Sequence, residues 1–88
     1  KVATSIPPSV KMENVPFYPN PVENILFVQD GMSDIFPLSI YDSRGRLVKY
    51  VGVPMSEIDV SNLIQGVYFV LYRNKSSQGE ATFKMMKE

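Results

Sequence analysis

The chain alternates apolar and polar positions over short stretches, and no long stretch repeats apolar residues with the helical period of 3.6. Alternation with a period of two places successive side chains on opposite faces of a strand. The pattern therefore predicts no helices and seven extended segments. Their residue ranges are 15–18, 24–29, 37–42, 46–51, 57–60, 66–73 and 80–87.

Turn-forming residues separate these segments. Ser43-Arg44-Gly45 lies between the third and fourth segments and predicts a hairpin, and Gly52-Val53-Pro54 ends the fourth. Short strands with a turn signal about every 8 to 12 residues are typical of an antiparallel sandwich. We therefore predict an all-β fold, an immunoglobulin-like antiparallel β-sandwich of about seven short strands.

The segment that begins at Gly66 has the strongest strand signal, because aromatic and β-branched residues dominate the run from Val67 to Tyr72. A glycine at the start of a strand permits a positive φ or a close backbone approach. Tyr68 can bury its ring while its hydroxyl keeps a hydrogen-bond partner. We expect Gly66 to serve backbone geometry and Tyr68 to serve the core.

Five of the seven prolines lie between Pro7 and Pro21. Residues 1–14 have almost no periodicity, and Pro7-Pro8 favours an extended spacer, so we interpret them as a linker from an upstream domain. The folded domain is then expected over 15–88. Pro19-Asn20-Pro21 ends the first strand and fixes a turn, because proline lacks an amide donor and restricts the residue before it.

The composition argues against several functions. With no cysteine, the chain has no cysteine nucleophile and no thiolate zinc site, and with no histidine it lacks the commonest general base and the commonest transition-metal ligand. Nine basic and nine acidic residues cancel without a basic block, which disfavours nucleic acid. The aspartates are scattered over separate turns, where we expect them to cap turns. We predict no catalytic residue, no metal or cofactor, and no enzyme activity.

Three motifs stand in a fixed order: Tyr18-Pro19-Asn20-Pro21, Gly66-Val67-Tyr68 and Lys84-Met85-Met86-Lys87. In this order and spacing the chain resembles the C-terminal sorting domain of the type IX secretion system, the Por secretion tail (type A) of Bacteroidetes, over about residues 15–87. The segment 42–48 resembles the middle hairpin of that family. The resemblance implies these sorting-motif residues: Pro19, Asn20, Pro21, Gly45, Gly66, Tyr68, Lys84 and Lys87.

The resemblance also implies a route. Such a tail directs an upstream cargo domain from the periplasm through the type IX outer-membrane translocon, to the cell surface or the medium. In many members a sortase-like protease removes the tail and joins the cargo to anionic lipopolysaccharide, so sortase components and, indirectly, this lipid are implied partners. Other members keep the tail. The family usually has Val or Ile between the terminal lysines, where this chain has Met85 and Met86.

Lys84 and Lys87 are expected to be exposed on the final strand, where recognition is preferred over the alternative of solubility or edge protection. If that strand lies at a sheet edge, strand addition can read its unpaired backbone, and the lysines give the orientation. A terminal strand after the polar 75–79 segment is also expected to exchange between molecules, which gives a strand-swapped homodimer. The alternative function is a structural or carbohydrate-binding β-sandwich appended to an extracellular enzyme. Phe27, Tyr68, Phe69 and Phe83 disfavour it, because their strand patterns predict burial rather than an exposed aromatic platform.

Overall fold

The computed structural model describes residues 15–74 and 79–88. These residues form seven strands, and every predicted segment is confirmed to within two residues at each end. In chain order the strands are β1 (Phe17–Tyr18), β2 (Ile25–Val28), β3 (Leu38–Asp42), β4 (Leu47–Val51), β5 (Glu57–Asp59), β6 (Gly66–Asn74) and β7 (Gly79–Lys87). The linker predicted over 1–14 lies outside the described residues.

The strands form two antiparallel sheets, so the predicted all-β sandwich is confirmed. One sheet has three strands in the order β1-β2-β5, and the other has four in the order β4-β3-β6-β7. β6 and β7 pair in continuous register from Gly66 opposite Lys87 to Asn74 opposite Gly79. β7 is therefore an edge strand of the larger sheet, which meets the condition set for recognition by strand addition.

The core lies between the two sheets because each strand presents alternate residues inward. In β2, Leu26 and Val28 are buried, whereas Ile25 and Phe27 face outward and are half-buried. Each fully buried apolar side chain of this size contributes about 1.5 to 3 kcal/mol before entropy is subtracted. The larger sheet supplies the opposing buried side chains Leu38, Ile40, Val51, Tyr68, Val70 and Met85.

Aromatic rings join β1 to the β6–β7 hairpin across the core. The ring of Phe17 lies 5.2 Å from that of Tyr72 in an edge-to-face arrangement and 5.1 Å from that of Phe83. Offset and edge-to-face pairs at such distances contribute beyond the area they bury. These contacts fix the short strand β1 against the larger sheet.

A three-residue 3-10 helix, Ser33–Ile35, lies in the connection between β2 and β3. The sequence predicted a connection of turn-forming residues between these strands and no helix, so this element was missed. It is too short to show a helical period, and a single turn of this kind is a common connector. It places Ile35 in the core, where 1% of the side chain is exposed. Among the described residues, no helix is long and apolar enough to cross a membrane.

Candidate functional site

The Pro19-Asn20-Pro21 segment lies along the outer edge of β7. The Asn20 Nδ2 donates to the Lys84 carbonyl oxygen at 2.9 Å, and the Asn20 Oδ1 accepts from the Met86 amide at 2.8 Å. One amide side chain thus bonds a donor and an acceptor of β7, as a neighbouring strand would. The first and third sequence motifs therefore meet directly, although more than 60 residues separate them.

Val22 extends this contact with its backbone. Its amide donates to the Met86 carbonyl at 2.8 Å, and its carbonyl accepts from the Glu88 amide at 2.8 Å. These bonds form an isolated parallel bridge between Val22 and Lys87, and the Val22 side chain is completely buried. We call the Asn20 side chain together with the Val22 backbone the β7 clamp. It closes the outer edge of β7 from the Lys84 carbonyl to Glu88.

The second motif holds β7 from its other side. Gly66 pairs with Lys87, and Tyr68 pairs with Met85. The Tyr68 ring is buried, and its hydroxyl donates to the Ile64 carbonyl at 2.6 Å, so the predicted combination of buried ring and bonded hydroxyl is confirmed. This bond to the fourth residue upstream resembles the tyrosine corner of antiparallel sandwiches.

Gly66 has a φ of +156°, and a Cβ built on it would meet only the Ile64 carbonyl, at 4.0 Å. The position therefore favours glycine through its backbone conformation and not through lack of space. The expectation that Gly66 serves backbone geometry is confirmed.

The two lysines of the last motif lie on opposite faces of β7. Lys84 is exposed on the outer face of the sheet, as predicted, opposite Phe69 of β6. Lys87 is not exposed: only 8% of it is accessible, and its Nζ donates to the Glu88 carbonyl at 2.9 Å. The prediction of an exposed Lys87 is therefore wrong. A spacing of three residues on a strand always places two side chains on opposite faces.

Gly45 lies in the β3–β4 turn, two strands away from β7, with a φ of +86°. The Asp42 Oδ1 accepts from the amides of Arg44 and Arg46 at 2.9 Å, and Gly45 donates to the Asp42 carbonyl. The Arg46 amide is the largest of the interactions that lower the pKa of Asp42 below its usual value. Gly45 thus serves a capped hairpin turn and is not brought to the β7 clamp.

Asp59 caps a second turn. Its Oδ1 accepts from the Ser61 hydroxyl at 2.6 Å and from the Ser61 amide at 2.9 Å, and the hydroxyl bond is the main cause of its lowered pKa. Turn capping by Asp42 and Asp59, expected from the sequence, is confirmed. Among the described residues no group of three carboxylates is placed to hold a metal ion.

Two contributors to the site were missed in the sequence. Val22 acts through its backbone, and its residue type carries no signal for that role. Met85 is completely buried beside Tyr68, whereas Met86, with 39% of its surface exposed, presents its backbone to the β7 clamp. The alternation of β7 could have separated the roles of these two methionines, because the inward positions are the odd-numbered ones.

Outward-facing rings lie next to the Pro19-Asn20-Pro21 segment. The rings of Tyr18 and Phe27 stack at 5.5 Å with planes 21° apart, and 52% of Tyr18 is exposed. A shallow cleft of about 410 Å³ follows them, and Pro19, Pro21, Glu23, Asn24, Ile25, Phe27 and Glu88 line it. Of the four rings predicted to be buried, only Tyr68 is; Phe27, Phe69 and Phe83 are half-buried.

The two antiparallel sheets, with a terminal strand held by two distant motifs, define the class of this protein as an all-β sandwich domain. The model of the secretion system C-terminal sorting domain, the Por secretion tail, matches residues 16–88. The chain belongs to this family, which confirms the resemblance to type IX sorting domains. Comparisons with curated proteins and with solved structures found no match.

Family membership makes the chain a type IX secretion C-terminal sorting domain. It implies export through the outer membrane to the cell surface or the medium, and contact with the secretion machinery. The family is one of sorting signals and not of enzymes.

Proposed function

We propose that residues 15–88 direct an attached upstream cargo domain through the type IX outer-membrane translocon, and that the translocon reads the folded terminal strand. The observation that carries this proposal is the bonding of Asn20 to the backbone of Lys84 and Met86. It joins the Pro-Asn-Pro motif to the terminal motif, and the Gly-x-Tyr motif pairs with the same strand. The motifs thus cooperate in shaping one surface.

In this proposal the sorting-motif residues have different roles. Lys84 is the cation that the translocon contacts, because its side chain is exposed on the outer face. Lys87 and Tyr68 act through the fold, since both are buried. Pro19 and Pro21 restrict the backbone on either side of Asn20, which keeps its amide in place. Gly45 supports the hairpin turn.

The proposed route begins in the periplasm and ends at the cell surface or in the medium. A sortase-like protease then removes the tail by a cut in or before residues 1–14 and attaches the cargo to anionic lipopolysaccharide. Mass spectrometry of the exported fusion tests this step. A mature product that lacks residues 15–88 supports removal, and a product that retains them contradicts it.

The export proposal is tested with residues 1–88 fused to a periplasmic reporter in a bacterium that has the type IX system. We expect the Lys84→Ala fusion to fold normally and to be exported poorly. Arg73→Ala is the matched control, because Arg73 is also an exposed cation and lies on the neighbouring strand β6. Normal export of the Lys84→Ala fusion would show that the translocon does not depend on Lys84. Failure of the unmodified fusion to reach the cell surface would overturn the proposed export function.

A second candidate function is glycan binding by a sandwich appended to an extracellular enzyme. The exposed Tyr18, stacked on Phe27 beside the shallow cleft, favours it, because sugar rings pack on accessible aromatic rings. The test is a glycan array with the 88-residue chain and a Tyr18→Ala variant. Glycan binding would be supported over sorting by two results together: the 88-residue chain binds a glycan that the Tyr18→Ala variant does not bind, and the same chain fails to export the reporter.

A further inference from the structure

Among residues 15–74 and 79–88, one part of the β7 edge has no backbone partner. Met86 and the Lys84 carbonyl bond to the β7 clamp on the side away from β6. Backbone groups alternate in direction along an antiparallel strand, so those of Glu80 and Thr82 and the Lys84 amide point to the same side. In the part of the chain that the structure describes, no backbone group bonds them there. The open edge therefore comprises residues 80–84.

We propose that this open edge pairs with the open edge of a second copy of the chain, in an antiparallel dimer with its twofold axis at Thr82. In this register Thr82 faces its own equivalent, and Glu80 of each copy faces Lys84 of the other. The three side chains are exposed on the same face of the sheet. The pairing joins two four-stranded sheets into one sheet of eight strands.

Charge complementarity selects this partner and this register. Opposite charges directly across an antiparallel pair are favourable, and like charges are unfavourable. A register centred on Glu80 would place two carboxylates together, and one centred on Lys84 would place two ammonium groups together beside Asn20. The segment is thus complementary to itself only about Thr82. The formal net charge of the chain is zero, so overall repulsion does not oppose the association.

The ends of the open edge also fit a second copy. The β7 clamp closes the edge beyond Lys84, and β7 begins at Gly79, where the chain comes from the β6–β7 connection. About this axis Gly79, the first residue of β7 in the second copy, faces Met85, one residue before the Met86 amide that donates to Asn20. The dimer gains at least four backbone hydrogen bonds, two between the Thr82 residues and one from each Lys84 amide to the opposite Glu80 carbonyl.

Charge reversal tests the register by sedimentation equilibrium of the 88-residue chain at low salt. The single variants Glu80→Lys and Lys84→Glu place like charges across both pairs, so each should weaken dimerisation by about tenfold. The double variant restores opposite charges and should restore the dimer. A chain that stays monomeric at about 1 mM, or a dimer that neither single variant weakens, would overturn the proposal.

A thiol at the axis tests the geometry. The chain has no cysteine, so Thr82→Cys introduces a unique thiol that should oxidise to a disulfide-linked dimer. Arg73→Cys, an exposed position one strand away from the edge, is the control and should not link. In a strand-swapped homodimer position 82 would instead lie opposite Leu71 of the other copy, so a dimer without the Thr82→Cys link contradicts edge pairing and supports the swap.

A blocking variant separates this proposal from the export function. Thr82→Pro removes an amide that points away from β6, so β7 should stay paired with β6 while the dimer is lost. Export that persists in this variant leaves the sorting function intact and shows that dimerisation is separate from it. A different result would overturn self-pairing: Thr82→Pro abolishes export, although the parent chain is monomeric and the Thr82→Cys chain forms no disulfide-linked dimer. In that case a strand of another protein occupies this edge.

Discussion

Asn20 shows how a single side chain completes a strand edge. Its amide offers one donor and one acceptor at the spacing that the backbone of β7 presents between the Lys84 carbonyl and the Met86 amide. No other uncharged side chain except glutamine carries this pair of groups on a planar amide. Glutamine has one more rotatable bond, so it would be held less firmly. The chemistry of the position therefore favours asparagine itself.

Asn20→Asp should weaken the β7 clamp. The substitution keeps the shape and the acceptor for Met86 but replaces the donor with an oxygen that repels the Lys84 carbonyl. We expect the free energy of unfolding in urea to fall by about 1 to 2 kcal/mol, and hydrogen exchange at the Met86 amide to accelerate. Asn62→Asp is the control, because Asn62 is exposed and outside the β7 clamp. Equal stability of the two variants would contradict the clamp.

The hydroxyl of Tyr68 should also contribute to the stability of the domain. Tyr68→Phe keeps the buried ring but removes the hydroxyl that donates to the Ile64 carbonyl. We expect a loss of about 1 kcal/mol in the free energy of unfolding, because a partly buried hydrogen bond disappears. Tyr50→Phe is the matched control, since 60% of Tyr50 is exposed. The comparison fails to support the role of the hydroxyl if both variants unfold at the same urea concentration.

Among the elements, the β3–β4 turn depends on a charged cap. The amide of Arg46 and its side chain favour the ionised form of Asp42, so the pKa of Asp42 in the folded chain lies below the ordinary value of an aspartate. A depressed pKa contributes stability that is complete above the unfolded value and is lost as the pH falls through the folded value. We therefore expect the stability to decline below about pH 4, and Asp42→Asn to make that decline shallower.

Urea unfolding measured at several pH values checks this prediction. Asp59 has its pKa lowered by Ser61, so the double variant with Asp42→Asn and Asp59→Asn should show the smallest acid dependence. Both single variants should fall between the double variant and the parent chain. If Asp42→Asn left the acid slope unchanged, the cap at this turn would not be linked to stability.

The strands were predictable from sequence because each depends on its own residues. Leu26 and Val28 alternate with Ile25 and Phe27, and that alternation locates β2 without knowledge of its partners. The β7 clamp was not predictable in the same way. Pro19-Asn20-Pro21 indicated a turn, but nothing local tells which distant backbone the Asn20 amide reaches. Only the resemblance to the family placed this motif and the terminal one in the same site.

The lysines of β7 show a second limit of prediction from the sequence. Strand alternation already implies that Lys84 and Lys87 face opposite sides, yet lysine is so often exposed that residue type outweighed position in the prediction. Burial of Lys87 follows from the twofold period and from the bridge to Val22, which covers the end of the strand. Of the two lysines in the terminal motif, only Lys84 is therefore exposed.

The β7 clamp connects the two sheets of the sandwich. The chain leaves β1 in the smaller sheet, bonds to β7 in the larger sheet through Asn20 and Val22, and returns to the smaller sheet at β2. The last residues of the domain thus close the sandwich near the place where its first strand ends. This arrangement makes the shape of the terminal strand depend on the fold of the entire domain.

Truncation tests this dependence. Removal of residues 86–88 eliminates the bonds from Met86 and Glu88 to the β7 clamp and uncovers Val22, so we expect the free energy of unfolding to fall by about 3 kcal/mol or more. Removal of Glu88 alone eliminates its bond to the Val22 carbonyl and the bond that its own carbonyl accepts from the Lys87 Nζ, and should cost about 1 to 2 kcal/mol. Urea unfolding followed by tyrosine fluorescence measures both. Equal stability of the two truncated chains would show that the sandwich closes without the β7 clamp.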